Sequence, residues 1–359
     1  SLVIMKLRRK EKKGVLVNEL KLLYKCSNNL KRYFRMKKHW LFFIILFNLV
    51  SLNAQNASEK ARMKRNNDWK SYLTTMDKNF KNNDEAVAFH FMRFEGFTPG
   101  NDYDYVKNDI SKKYRIEKYE EVKIPVSDKI KLDAWFIPVE NAKGTLIIVP
   151  GYSSDLSFGL YQSRFLLNEG YQLLVYNPRM WNYAKKPKKF INSLEKDLQD
   201  IGDIITYLSA RSDVNKEKIG IFGFSYGALR AVLAGARYEQ LKVVLEDAAP
   251  KDKIWDDLSD KAIEIIAAKS GMNPTDDIYR ADIVAEKIAP RALLVLHGGK
   301  DQSVEIENSE KIFANALEPK EFHIFPKSAH CLGMVQSDKA DYIKVVTNFL
   351  DKYLAADIK

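Results

Sequence analysis

From residue 119 to the C-terminus, short apolar runs recur at the spacing of strands separated by helices. Two alternating stretches, 119–126 and 130–138, read as an antiparallel opening pair. Near-continuous apolar runs then follow at 144–149, 171–176, 218–224, 241–247, 291–297 and 321–325, each separated from the next by a helical pattern. Strands covered on both faces read this way, and the helices between them supply the crossovers of a parallel sheet. The pattern predicts an α/β domain over 119–359, with a mostly parallel eight-stranded sheet flanked by helices. Ahead of it, 55–118 is polar and aromatic. It is expected to be a short helical N-terminal extension, with helices over Asp68–Phe80 and Tyr103–Lys113 and a breaker at Phe97-Thr98-Pro99-Gly100. Residues 251–290 are helix-patterned, follow the run at 241–247, and are expected to form a small cap insertion.

One strand-to-helix junction carries candidate chemistry. Gly223-Phe224-Ser225-Tyr226-Gly227 joins the run KIGIFGF to the helical SYGALRAVLAGAR. A Gly-x-Ser-x-Gly in that context is a nucleophile elbow, a turn too tight for side chains two residues either side of the serine. A plain strand-turn-helix with a serine N-cap is the competing explanation. An elbow requires a base and an orienting acid, arriving in the order Ser, Asp/Glu, His. Asp301 follows the strand RALLVLH, and His330 follows the last strand in Pro326-Lys327-Ser328-Ala329-His330, so both fall at the same sheet edge as Ser225. Of five histidines only His330 lies in a loop after a strand and downstream of both partners; His297 is expected to support the Asp301 loop, and His323 to be a satisfied strand residue. Glu246-Asp247, one strand earlier, is the rival acid position; otherwise Asp247 is expected to cap the following turn. The oxyanion hole is expected from the backbone N–H of Tyr226 and that of Tyr152, in the Gly-containing loop after 144–149.

The stretches VKIPVSDKIKLDAWFIPV, TLIIVPGYSSD, EGYQLLVYNPR, IGIFGFSYGALRA, IAPRALLVLHGGKDQSV and FPKSAHCLG, in this order, resemble the α/β-hydrolase superfamily. More narrowly, they are similar to its prolyl-oligopeptidase-like and dienelactone-hydrolase-like serine hydrolases. The resemblance implies an α/β-hydrolase fold, with Ser225, Asp301 and His330 catalytic and the Tyr152 and Tyr226 amides as oxyanion donors; the sequence holds no CxxC, HExxH or EF-hand loop, and no metal or cofactor is expected. With few residues ahead of the sheet and only a small insertion after Asp247, the chain is expected to hydrolyse a carboxylic ester through an acyl-enzyme, with a short peptide or acyl-peptide amide as the alternative substrate. A catalytically silent binding protein on the same scaffold is the rival from another class. The chain departs from the resembled group after 171–176, where an Asp-x-Arg-Gly-x-Gly-x-Ser-like loop is usual. Here the loop reads Asn177-Pro178-Arg179-Met180-Trp181-Asn182-Tyr183. Arg179 is expected to keep a structural salt bridge, while Trp181 and Tyr183, with Trp255 from the insertion, are candidate walls of a substrate pocket. Met272 is a candidate for either pocket or core.

Charge changes the picture only at the N-terminus. The net charge is +11, yet residues 1–54 hold 13 Lys/Arg against two Glu, leaving 45 of each sign afterwards. The folded part therefore lacks the electrostatic footprint of a nucleic-acid partner. Met36-Lys37-Lys38, the 11-residue apolar run Trp40–Val50 and the small-residue end Ser51–Ala54 read as a signal peptide over 36–54. A run that short is about half of what spans a bilayer, so no stable membrane insertion is expected after cleavage. Residues 1–35 read as an upstream, non-native extension. Of two cysteines only Cys331 lies beyond the signal segment, where a small buried filler is expected. These readings place the protein in the periplasm or outside the cell. N-terminal sequencing of protein from the native host is expected to begin near Gln55; a cytoplasmic product carrying residues 1–35 would overturn the compartment.

Overall fold

The computed structural model describes residues 116–151, 154–179, 194–250, 260–273, 275–333 and 337–356. The expected extension, signal segment and Tyr152, Trp181, Tyr183 and Trp255 lie outside the described residues, save the extension's last three. An eight-stranded sheet runs β1 (Glu120–Val126), β2 (Ile130–Ile137), β3 (Gly144–Val149), β4 (Tyr171–Tyr176), β5 (Ile219–Phe224), β6 (Val243–Asp247), β7 (Ala292–Gly298) and β8 (Lys320–Phe325). Its spatial order is β1-β2-β4-β3-β5-β6-β7-β8. β1 pairs antiparallel with β2 and β2 with β4; every later pairing is parallel. The strands fall within two residues of their expected positions.

Burial explains the pattern. Every residue of β3, β4, β5, β6 and β7 is buried, which requires the continuous apolar runs, whereas edge strand β1 alternates and leaves Glu120, Glu121 and Lys123 in water. Among the described residues, the helices of eight or more residues are α1 (Leu156–Ser163), α2 (Leu194–Ser209), α3 (Tyr226–Arg237), α4 (Asp260–Ser270), α5 (Ile306–Asn315) and α6 (Lys339–Leu350). One core layer packs α2 and α3 against residues such as Ile147, Ile221 and Val244. The other packs α1 and α6 against Ile148, Phe222 and Leu296. In segment 251–290, Asp260–Ser270 is helical, while Met272, Tyr279 and Val284 are buried in the first layer. Of its two candidate uses, Met272 serves packing. No helix among the described residues is long and apolar enough to cross a membrane.

The topology marks one crevice. The chain leaves β3 toward β4 on one side, whereas β5 leads to β6 on the other, so connections diverge at the β3–β5 boundary. In open α/β sheets ligands bind there, beyond the carboxyl ends of the strands. Register aligns those ends: Val149 lies opposite Gly223, Phe224 opposite Asp247, Asp247 opposite Leu296, and Gly298 opposite Phe325. The residues that follow these strands therefore form one row.

Candidate active site

Ser225 stands at the head of that row. Its φ of 54° and ψ of −122° lie outside the helical region, although α3 starts at the next residue. No side-chain cap hydrogen bond forms from it, so the plain N-cap explanation fails, and it is half-buried between buried neighbours. Strain of this kind at a non-glycine residue persists only where the surroundings impose it, and it makes Ser225 a candidate functional position. The flanking glycines have a steric cause: a Cβ on Gly223 would enter the Gly227 carbonyl, and a Cβ on Gly227 would enter those of Val149 and Pro150. Gly151 brings the β3 loop alongside, where an added Cβ would sit 3.4 Å from the Ser225 Cβ. Tyr226 heads α3, where amides point out of the helix end with the positive end of its dipole. Its ring packs 4.4 Å from the guanidinium of buried Arg230, which donates from Nε to Asp197 at 2.8 Å.

The base and acid positions come together at the same edge. His330 Nδ1 donates to Asp301 Oδ2 at 2.6 Å. The carboxylate is an acceptor, so Nδ1 carries the proton and Nε2 keeps its lone pair. Asp301 Oδ1 accepts the backbone N–H groups of Ser303 at 2.8 Å and Val304 at 3.0 Å. The side chain of Asp301 is 1% exposed and that of His330 is 24% exposed, so the acid is enclosed and the imidazole opens to solvent. His297 supports this loop as expected: Nε2 donates to the Val304 carbonyl at 3.2 Å and Nδ1 accepts from Ser309 Oγ at 2.9 Å. Burial pushes the His297 imidazole below its ordinary value, which suits this neutral form. Two backbone bonds join the acid and base loops, Gly299 N–H to Phe325 O at 2.7 Å and Lys300 N–H to Ser328 O at 2.9 Å. Asp338 holds the base loop from below, accepting Lys327 N–H at 2.8 Å and Ser328 Oγ–H at 2.9 Å. The sequence reading missed this clamp, because nothing local in Ser337-Asp338 marks a partner in the loop ahead of it.

The rival acid has another occupation. Asp247 is buried and its carboxylate accepts Tyr342 Oη–H at 2.8 Å. It does not cap the following turn; Glu246 does, its Oε2 accepting Ala249 N–H at 2.8 Å. The correction follows from strand alternation, which aims neighbours at opposite faces. Burial pushes the Asp247 carboxyl up to about 6 and the Glu246 carboxyl up to about 8. Arg179 keeps the expected salt bridge: wholly buried, it donates from Nε to Asp200 at 2.7 Å and from Nη1 to Asp128 at 3.0 Å.

The sequence model of the prolyl oligopeptidase family matches residues 163–357. The chain belongs to that family. It is a serine hydrolase of α/β-hydrolase architecture. Among similar proteins, the uncharacterized protein YfhR of Salmonella typhi is 28% identical over 250 residues, spanning 66% of this chain and 83% of that one. The polyketide transferase ATR5 of Stachybotrys chlorohalonatus is 18% identical over 289 residues, spanning 66% of this chain and 97% of that one. Among solved structures, the α/β hydrolase GrgF from Penicillium sp. sh18 superposes with a TM-score of 0.55 at 17% identity, over 67% of this chain and all (100%) of that one. The Pyrococcus furiosus esterase Pf2001 gives 0.51 at 20% identity, over 66% and 93%.

The buried carboxyl of Glu246 makes stability depend on pH. Its folded value of about 8 lies above the ordinary 4.5, so the folded state binds the proton more tightly. The contribution of Glu246 to stability is full below about 4.5, falls as pH rises toward about 8, and is gone above it. Glu246→Gln removes that slope. Its thermal midpoint is expected to match wild type near pH 4.5 and to exceed it most at and above pH 8. Parallel midpoint curves for the two proteins would show that Glu246 is not the titrating group.

Proposed function

We propose that the protein is a carboxylic-ester hydrolase working through an acyl-enzyme on Ser225. The observation that carries this reading is the Asp301–His330 hydrogen bond of 2.6 Å, in loops at the sheet edge where the elbow presents Ser225. Ser225 Oγ attacks the carbonyl carbon and its proton passes to His330 Nε2. Asp301 holds the imidazole in the tautomer whose Nε2 is basic and steadies the imidazolium that forms. The amides of Tyr226 and Tyr152 receive the oxyanion of the tetrahedral intermediate. The imidazolium then gives its proton to the leaving oxygen, and a water, activated by the same nitrogen, releases the acid. Trp181, Tyr183 and Trp255 remain the proposed apolar walls of the substrate pocket.

Esters are favoured because an alkoxide or phenolate departs with less help from the imidazolium than an amine does. The names of two relatives point to acyl chemistry on related chains, the polyketide transferase ATR5 and the acyltransferase drtE of Aspergillus calidoustus, and Pf2001 is an esterase. The family match keeps the cleavage of a short peptide as the second reading. The signal-like segment supports action outside the cytoplasm.

Ser225→Ala and His330→Ala are each expected to abolish nearly all ester turnover in a folded protein. Asp301→Asn should cost roughly 10⁴-fold in kcat by holding the wrong tautomer, and Asp247→Asn far less. Steady-state kinetics on an aryl ester checks the set; full turnover by folded Ser225→Ala defeats the mechanism, and the reverse ranking of the two Asp→Asn variants moves the acid to β6. A panel of short-chain aryl esters and aminoacyl anilides tests the substrate class. Esters are expected to show the higher kcat/KM, and anilides exceeding every ester would install the peptidase reading.

A further inference from the structure

Three loops of the row carry a non-glycine residue in the left-handed region: Ser225 at φ 54°, Ala248 at 57° and Cys331 at 52°. Such backbone is costly without glycine and persists where surroundings impose it. Two of them, Ser225 and Cys331, meet at one atom, the backbone carbonyl oxygen of Asp247, and Ala248 completes that peptide group. That oxygen accepts the Ser225 N–H at 2.8 Å and the Cys331 thiol at 3.2 Å. A carbonyl oxygen has two lone pairs, and here one is turned to the residue at the elbow and the other to the residue after His330. Its peptide group is fixed on the far side, where Ala248 N–H donates to Leu296 O at 2.9 Å, and the Asp247 side chain is fixed by Tyr342.

Cys331 is also held from a second direction. Gln162 on α1, the helix that follows the Gly151 loop, donates from Nε2 to the Cys331 carbonyl at 3.0 Å. The thiol lies 3.9 and 3.8 Å from the two His330 ring nitrogens, so it backs the imidazole while its proton goes to the much nearer carbonyl. Burial, reinforced by the Asp247 and Asp301 carboxylates, pushes the thiol well above its ordinary value, which keeps it a donor and leaves little reactive thiolate.

We propose that Cys331 is a positioning residue whose S–H···O=C bond to Asp247 sets the distance between His330 and Ser225, making one carbonyl oxygen the common reference for base and nucleophile. This rests on the reading of Ser225 and His330 as nucleophile and base. A small apolar filler needs no donor, whereas a positioning residue does, so alanine and serine at 331 separate the two roles.

The test compares wild type, Cys331→Ala and Cys331→Ser for kcat and KM on an aryl ester and for the rate of labelling by a fluorophosphonate. Loss of one hydrogen bond of ordinary strength should lower kcat and the labelling rate of Cys331→Ala by about three- to tenfold with KM unchanged. Cys331→Ser keeps a donor and is expected within about twofold of wild type. Wild-type kcat in Cys331→Ala, or a loss in Cys331→Ser as large as in Cys331→Ala, overturns the positioning role alone. If Cys331→Ala does not fold, Cys331→Gly, which also lacks the donor and suits the φ of 52°, takes its place: kcat should fall with KM held, and an unchanged kcat overturns the proposal. A wild-type protein that neither labels nor turns over ester takes the nucleophile reading down with it.

Discussion

The contact on which the rest depends is backbone against backbone, where the first turn of α3 presses on the end of β3. Gly227 lies so close to the carbonyls of Val149 and Pro150 that a methyl group has no place there. That approach sets the angle at which α3 leaves β5 and forces the strained dihedrals of Ser225. It also brings the Gly151 loop beside the serine, at the boundary where the sheet's connections diverge. A strained serine, a helix end and a neighbouring loop are thus consequences of a single steric constraint. Strain costs stability, and the packed layers on both faces of the sheet offset it.

Charge inside the domain serves the same geometry. Arg230 and Asp197 pair out of solvent beneath Tyr226, and Arg179 with Asp200 anchors the loop after β4. Pairs like these add little net stability against apolar replacements, but breaking one leaves a costly buried charge. They therefore act as geometric pins. Arg230 fixes the residue after the elbow, and Arg179 ties the end of β4 to α2 and to the β1–β2 turn.

The sheet was legible because its middle strands are buried on both faces and their apolar runs have no competing explanation. The elbow and the two loop residues were legible because strand ends of a parallel sheet share one edge, so chain order converts to proximity. Gln162, Asp338 and Tyr342 were not legible. Each acts across 10 to 169 positions of sequence, through side chains whose local patterns are those of ordinary helices and turns. Cys331 was visible as a buried filler, and its burial is as expected; the direction of its thiol follows only from the dihedrals of the residue after His330. Asp247 was visible as a rival acid, yet which neighbour it faces depends on α6, whose packing no local pattern reveals.

The two carboxylates at this edge, Asp301 and Asp247, differ in what each is offered. Asp301 receives two backbone N–H donors on one oxygen and the His330 imidazole on the other, an arrangement that fixes the carboxylate and aims it at the ring. Asp247 is sealed in the apolar layer, where its donors are neutral groups such as the Tyr342 hydroxyl, and burial moves its carboxyl toward the protonated form. A carboxyl near protonation is a poor partner for an imidazolium. Its backbone, however, is held where both neighbouring loops need an acceptor. The same position thus contributes through its main chain while its side chain is kept out of the way, which explains why an acid can stand at the end of β6 without competing for the histidine.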